Sequence, residues 1–481
     1  MNNDDYIIID VGLQQSITSE QAWHYHIIPK LVSDNSIEFF VDEEHQNGQN
    51  IIEELEILFG KTVRLYSAST ITVKHSLGKY YRKPDEHVTG KAKQIDHYHA
   101  EDFLYQLIDE AQSINSSDIH IEPYEKKARI RLRIDGKLME RYVIRLTDYP
   151  ALVNKIKIKA NLDISEKRLP QDGRIYFGTG ETNFDIRVSV LPTLYGEKIV
   201  LRLLSKNTAA IDITELGFNQ LQLAHYLEGT KKTSGIILIS GPTGSGKTTT
   251  LYATLKILNR EESNILTIED PIEYTIEGVN QVQLKEAIGL TFASALRTFL
   301  RQDPDIIMLG EIRDTTTAQM AIRAALTGHL VLSTIHTNSA WGTVARLIDM
   351  DVPSFLVANT LNLTVAQRLI RLLCPFCREK KKINEELFLG NFHPPRKLNG
   401  HYIATGCERC YYTGYKGRKA VYEVIPVDAE IEEHIKKKDF DIKDILHKKG
   451  IVSMADQAFY LVEHGETTIE EIYPILLNSV N

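Results

Sequence analysis

Hydrophobic and polar positions change rhythm several times along the chain, and each change predicts a different kind of element. In residues 1–81, the β-rich runs at 37–41 and 63–66 predict strands, and the spacing over 51–59 predicts a short helix. The stretch RKPDEHVTGKAKQ at 82–94 carries Pro and Gly and almost nothing to bury, so a linker is expected over 82–97. A second unit is expected over 98–206. It starts with Phe103, Leu104, Leu107 and Ile108 at helical spacing. The run ARIRLRIDGKL then alternates strictly, with Ile130, Leu132 and Ile134 facing one way and Arg129, Arg131 and Arg133 the other. Asp135-Gly136 is a hairpin signal, and FDIRVSVL at 184–191 alternates again. The pattern predicts an α+β unit on an antiparallel sheet.

From about 207 the rhythm switches to short apolar runs alternating with helical spacing, which predicts an α/β unit with a parallel sheet and crossover helices over 207–481. GIILIS at 235–240 reads as a buried strand, followed by Leu251, Leu255 and Leu258 on one helix face. A cysteine-bearing insertion lies at 374–410, and the chain from about 420 reads as helical. No internal repeat or low-complexity tract interrupts this order.

At 481 residues, with 43% hydrophobic and 25% charged positions, the chain has the balance of a soluble globular protein of roughly three domains. No apolar run reaches the ~20 residues of a membrane span. The start, MNNDDYIIID, is acidic and lacks a signal-peptide pattern, so a cytoplasmic protein is expected, with peripheral membrane docking left open. The net charge of −8 sits in residues 1–75, with twelve Asp and Glu against four Lys and Arg. The remainder is balanced, which argues against a non-specific nucleic-acid binder. The acidic segment suits a basic protein partner, or serves solubility alone.

The chemistry concentrates in the parallel-sheet unit. GPTGSGKT, comprising Gly241, Pro242, Thr243, Gly244, Ser245, Gly246, Lys247 and Thr248, matches the phosphate-loop pattern between a buried strand and a helix. Its glycines let backbone N–H groups wrap around phosphates. Lys247 supplies charge to the β- and γ-phosphates, and the Thr248 hydroxyl suits Mg²⁺. Thr249 follows as a further nucleotide-binding candidate. Two acidic clusters end apolar strands: Glu269, Asp270 and Glu273 in ILTIEDPIEY, and Glu311 in DPDIIMLGEIRD. Acids there stand at the carboxyl edge of a parallel sheet, where ligands bind. A third strand, HLVLSTIHT, starts at His329 and ends at His336, both nucleotide-site candidates. All four cysteines form two pairs, Cys374-x-x-Cys377 and Cys407-x-x-Cys410, the thiolate set of a structural Zn²⁺ site. A redox role is the alternative.

Together these motifs resemble the secretion ATPases that drive type II secretion and type IV pilus assembly, over roughly residues 20–481. GPTGSGKTTT, ILTIEDPIEY, RQDPDIIMLGEIRD and TGHLVLSTIHT occur in that family's order and spacing. The resemblance implies a RecA-like P-loop core preceded by a PAS-like domain and a small N-terminal domain that docks a partner. It implies that Glu273 activates water, Glu311 acts through Mg²⁺, and His336 senses the γ-phosphate. SSDIHIEP at 116–123 and RLPQDGRI at 168–175 look like the PAS-like domain, where Arg174, Arg187 and Arg202 sit where the family's arginines reach toward nucleotide. The cysteine pairs are similar to those of the assembly branch rather than the retraction branch. The resemblance further implies a homo-hexamer at the inner membrane, partnered by a platform protein and a membrane-anchored docking protein, with ATP, Mg²⁺ and Zn²⁺ bound. IIPKLVSDNSIEFFVD resembles only the last part of the family's N-terminal region, and Arg64 is the one arginine before residue 75, which argues against a cyclic dinucleotide site. The rival readings are a DNA-translocating or DNA-uptake motor and a nucleotide-gated scaffold with little turnover.

Overall fold

Two units make up the chain, Met1–Thr89 and Gly90–Asn481. The computed structural model describes residues 7, 9, 13, 16–33, 35–43, 50–81, 93–95, 100–179, 182–203, 212–382, 398 and 400–479. Most of the linker expected over 82–97, and residues 383–397 of the cysteine insertion, lie outside the described residues.

In the first unit, the strands β1 (Ile27–Val32), β2 (Ser36–Asp42) and β3 (Thr62–Ala68) form a sheet in that order. β1 runs antiparallel to β2, and β2 parallel to β3. A parallel pair needs a crossover, and α1 (Asn50–Phe59) provides it. Phe39, Val41, Leu55 and Leu77 are fully buried between sheet and helices.

The second unit carries two seven-stranded sheets. The first contains β4 (Lys93–Ile95), β5 (Asp118–Pro123), β6 (Ala128–Ile134), β7 (Lys137–Ile144), β8 (Gln171–Thr179), β9 (Thr182–Thr193) and β10 (Gly196–Leu203), in the order β4-β7-β6-β5-β10-β9-β8. Every pairing is antiparallel except β4 with β7. β4 falls within the stretch read as linker, because an edge strand of three residues needs backbone hydrogen bonds rather than a side chain to bury. Ile130 and Leu132 point into the core while Arg129, Arg131 and Arg133 face outward. The helix α2 (Ala100–Ser113) lays Phe103, Leu104, Leu107 and Ile108 on the apolar face.

The second sheet runs β13-β12-β14-β15-β11-β16-β19. Its strands are β11 (Gly235–Ser240), β12 (Ile265–Glu269), β13 (Asn280–Gln283), β14 (Ile306–Leu309), β15 (Leu330–Ile335), β16 (Leu361–Leu373) and β19 (Tyr415–Pro426). All neighbours are parallel except β16 with β19. Every residue of β11, β12, β14 and β15 is buried, as expected for strands covered on both faces by crossover helices. Two differences from the sequence reading follow. Glu269 is the last residue of β12 rather than a residue beyond it. Residues 420–426 belong to β19, because their apolar side chains fill an edge of the sheet, and the helical part starts with α3 (Ala429–Lys437). The cysteine insertion carries a small pair, β17 (Arg378–Lys381) with β18 (His401–Ala404).

Candidate nucleotide site and cysteine cluster

The parallel register decides which residues meet. Ser240, the end of β11, pairs with Ile335 of β15 and Ala366 of β16, while Leu309 of β14 pairs with Ser333 and Ile268. The residues that follow these strand ends are therefore neighbours along one sheet edge: Gly241, His336, Glu311, and the segment from Asp270 to Glu273.

The loop after β11 turns into a helix, here the phosphate-loop helix (Lys247–Leu258). Gly241 and Gly246 have φ of 148° and 88°. A Cβ on Gly241 would lie 2.4 Å from the Gln367 carbonyl, and one on Gly246 2.8 Å from Gln367 Nε2. Gln367 is thus packed under the loop. Its Nε2 donates to the Ser245 carbonyl at 2.8 Å, and its Oε1 accepts from Thr250 Oγ1 at 2.9 Å. Lys247 Nζ donates to the carbonyls of Gly241 and Pro242 at 2.8 and 3.1 Å. Burial lowers the Lys247 pKa; the nearby Glu311 carboxylate opposes that, and Arg368 adds to it. Pro242, Thr243, Gly244 and Thr248 are exposed along the loop and the first turn, and Thr249 is half-buried.

Glu311 sits between Arg313 and His336. Arg313 Nε donates to its Oε1 at 2.5 Å, and His336 Nε2 lies 3.2 Å from its Oε2. Arg313 also reaches Asp270 at 3.4 Å. Glu273 is met by Arg187, whose Nη1 lies 3.3 Å from Oε2 and whose Nη2 donates to the Ile272 carbonyl at 2.6 Å. Glu269 turns away from this edge. It is 3% exposed and accepts from Tyr252, Thr267 and Gln281 inside the core.

Arg187 belongs to a row. In register it pairs with Arg174 on one side and Arg202 on the other, and Arg202 pairs with Asp118. These three arginines line an open groove of about 510 Å³ together with Asp172, Ser189 and Val200. The Arg187 side chain is only 18% exposed, whereas Arg174 and Arg202 are 47% and 60% exposed, contacting Asp185 and Asp118. The structure thus brings Arg187 to Glu273 within one chain, with Arg174 and Arg202 flanking it.

His329 is not part of this gathering. It precedes β15, and its carbonyl accepts from Gly235 at the start of β11. That is the amino edge of the sheet, about 23 Å from His336 at ~3.3 Å per strand residue. Its Nδ1 meets the Ala324 carbonyl at 2.9 Å, at the end of the preceding helix. A His at the start of a parallel strand cannot reach the phosphate loop of its own chain, which follows a strand end.

The site has features that suit a polyphosphate. Ser245 Oγ, Arg187 Nε and Arg368 Nη1 are buried polar atoms without a hydrogen-bond partner among the described residues. The loop itself has no room for a side chain at Gly241 or Gly246. Three residues not singled out from the sequence contribute: Gln367, Arg368 and Tyr252. Gln367 and Arg368 had a signal, a polar pair flanked by Val365 and Ala366 on one side and Leu369 and Ile370 on the other. Tyr252 had none, because a Tyr on a core-facing helix position reads as packing.

The four cysteine sulfurs lie within 4.8 Å of one another. Cys374 to Cys407 is 3.9 Å, and Cys377 to Cys410 and Cys407 to Cys410 are both 3.8 Å. A tetrahedron with Zn–S bonds of about 2.3 Å has edges of about 3.8 Å, so the cluster has the dimensions of a Zn(Cys)₄ site. The Cys407 and Gly414 N–H groups donate to Cys410 Sγ at 3.1 and 3.3 Å, as neutralising partners of a thiolate do.

Among the described residues, no helix is long and apolar enough to cross a membrane. The family model described as "Type II/IV secretion system protein" matches residues 93–474. The type IV pilus assembly ATPase PilB of Myxococcus xanthus is 42% identical over 450 residues, 88% of this chain and 79% of that protein. Type II secretion system protein E of Pseudomonas aeruginosa is 45% identical over 368 residues, 76% of this chain and 73% of that protein. The solved structure of the pilus retraction motor PilT with bound ADP is 26% identical, covers 77% of this chain and 96% of that one, and superposes with a TM-score of 0.52. With a phosphate loop, a carboxylate edge and an arginine row in one fold, this chain belongs to the type II/IV secretion system protein family and is an ATP hydrolase of it.

Proposed function

We propose that the chain is a ring motor, a homo-hexamer, that converts ATP hydrolysis into assembly of a type II secretion pseudopilus or a type IV pilus. It works in the cytoplasm at the inner membrane, against a platform protein, with residues 1–81 docking a membrane-anchored partner. In this reading, residues 98–206 are the PAS-like domain and 207–481 the ATPase domain with its metal insertion. The observation that carries the reading is the Arg187–Glu273 ion pair at 3.3 Å, because it couples the arginine row to the segment bearing the water-activating carboxylate.

Lys247 and the inward N–H groups of the loop balance phosphate charge as ATP binds. Glu273 orients a water for in-line attack and takes its proton, while the new O–P bond forms and the bond from the γ-phosphorus to the leaving ADP oxygen breaks. His336, oriented by Glu311, donates to the γ-phosphate. Arg187, with Arg174 and Arg202 beside it, stabilises charge spreading over the transferred group. Thr248 and Glu311 would hold Mg²⁺, which neutralises phosphate charge when bound. Cys374, Cys377, Cys407 and Cys410 would hold a structural Zn²⁺, which cross-links the two knuckles. When phosphate leaves, Arg187 loses one of its partners, and the sheet carrying it is released relative to the core.

Lys247→Ala tests the site by phosphate release. Turnover is expected to vanish, and wild-type turnover refutes the assignment. Light scattering of the wild-type chain with ATP reports the ring. Strong DNA stimulation with steep salt dependence indicates a nucleic-acid motor instead. A single-turnover burst without further cycles indicates a scaffold.

A further inference from the structure

Among the buried polar side chains of the phosphate-loop helix, Tyr252 is one that the chemistry above does not use and that reaches the segment bearing Glu273. Tyr252 lies one and a half turns into that helix, with its side chain fully buried. Its hydroxyl donates to the Glu269 carboxylate and accepts the backbone N–H of Glu273 at 3.2 Å. Its ring packs edge-on against Tyr274, with centroids 4.5 Å apart. Glu269 in turn is held by Thr267 Oγ1 at 2.6 Å and Gln281 Nε2 at 3.1 Å. Gln281 closes the circuit, donating to the Tyr274 carbonyl at 3.1 Å and accepting the Ile276 N–H at 2.7 Å. The segment from Asp270 to Ile276 is therefore fastened at Glu273, Tyr274 and Ile276 to a single buried polar cluster. Tyr252 is the member of that cluster that belongs to the helix carrying Lys247.

We infer that Tyr252 is a positioning residue for hydrolysis: its hydroxyl ties the backbone of Glu273 to the phosphate-loop helix and so sets the distance from the Glu273 carboxylate to the phosphates. The physical reason is rigidity. Glu273 stands on irregular backbone after a strand, and among the described residues the Arg187 ion pair is what restrains its carboxylate. The hydroxyl receives the Glu273 N–H and is anchored on the helix that grips phosphate. Burial, together with the neighbouring Glu269 carboxylate, keeps the phenol protonated by raising its pKa. It thus remains a donor to Glu269, and its lone pair is left for the Glu273 N–H. A misplacement near 1 Å at a reacting group costs about a hundredfold in rate.

The inference rests on Glu273 being the water-activating carboxylate, so the two are tested side by side in the full chain. Tyr252→Phe keeps the ring and its packing and removes only the hydroxyl. Steady-state hydrolysis is measured for Tyr252→Phe, Glu273→Gln and the double variant, and equilibrium affinity with a fluorescent ATP analogue. Tyr252→Phe is expected to lower kcat by about tenfold to hundredfold while KM and analogue affinity stay within about twofold. The double variant is expected to be no slower than Glu273→Gln alone, because the hydroxyl acts through that carboxylate. Gln281→Leu, which loosens the same segment from its other side, is expected to reproduce the loss in kcat with affinity retained. A kcat near wild type in Tyr252→Phe overturns the inference. So does a fall that multiplies fully with that of Glu273→Gln, or a loss of analogue affinity along with turnover, since the hydroxyl then holds the fold rather than the carboxylate. Wild-type turnover in Glu273→Gln removes the underlying reading instead.

Discussion

Gln367→Leu isolates what holds the phosphate loop in shape. Leucine nearly matches the volume of glutamine, so the side chain, 2% exposed in the wild type, leaves little cavity. Two hydrogen bonds of the side-chain amide disappear: the 2.8 Å donation to the Ser245 carbonyl and the 2.9 Å acceptance from Thr250. Their consequences differ. Thr250 Oγ1 keeps the Tyr422 hydroxyl at 3.3 Å and the Gly246 carbonyl at 3.4 Å, so its loss is small. The Ser245 carbonyl is left buried without its donor, at a cost of about 1–3 kcal/mol. That cost falls on the loop conformation that binds phosphate, so the competent population drops and apparent ATP affinity weakens by about fivefold to hundredfold. The assay is titration with a fluorescent ATP analogue, with circular dichroism to establish that the chain is folded. Thr250→Val, which removes the weaker side of the arrangement, is the comparator and is expected to shift affinity by less than about threefold. An unchanged affinity in folded Gln367→Leu refutes the reasoning, as does a larger effect of Thr250→Val than of Gln367→Leu.

Three further outcomes follow from particular contacts. His336→Ala is expected to lower turnover by more than about tenfold, while His329→Gln stays within about threefold, because the two stand at opposite edges of the sheet; phosphate release by both variants checks this. Elemental analysis is expected to find about one zinc per chain, and Cys407→Ser is expected to lose it and open residues 407–414 to limited proteolysis, since the four thiolates are that segment's cross-link. Glu122 governs an acid transition. Burial pushes its carboxyl up, but hydrogen bonds from Arg131, Lys198 and Arg129 outweigh that and hold it at about 2, against an ordinary value of 4.5. A depressed carboxylate stabilises the fold above its unfolded value, and that stability is lost as pH falls from about 4.5 through about 2. Glu122→Gln is therefore expected to flatten the pH dependence of thermal stability across that window while leaving charged partners unpaired at neutral pH, read by circular dichroism melts.

Much of this protein is determined by its sequence alone, because the signals are local. The phosphate loop needs glycines at fixed offsets and a lysine at the helix start, all within eight residues. Strict alternation over Arg129 to Ile134 specifies a half-buried strand, and two CxxC pairs specify a tetrahedral thiolate set. Three things depended on contacts between distant residues, and only the tertiary structure decided them. Parallel register separated His336 from His329: both flank the same strand, but only a residue after a strand end reaches the loop edge. Cross-strand pairing turned Arg174, Arg187 and Arg202, scattered over 29 positions, into one row, and burial chose Arg187 as the one in contact with Glu273. Packing also sorted the acids of ILTIEDPIEY, sending Glu269 inward to Tyr252 and leaving Glu273 at the edge. Alternation along a strand says which face a side chain takes. What waits on that face is set by elements tens of residues away, as with Tyr252 beneath the Glu273 segment and Gln367 beneath the loop.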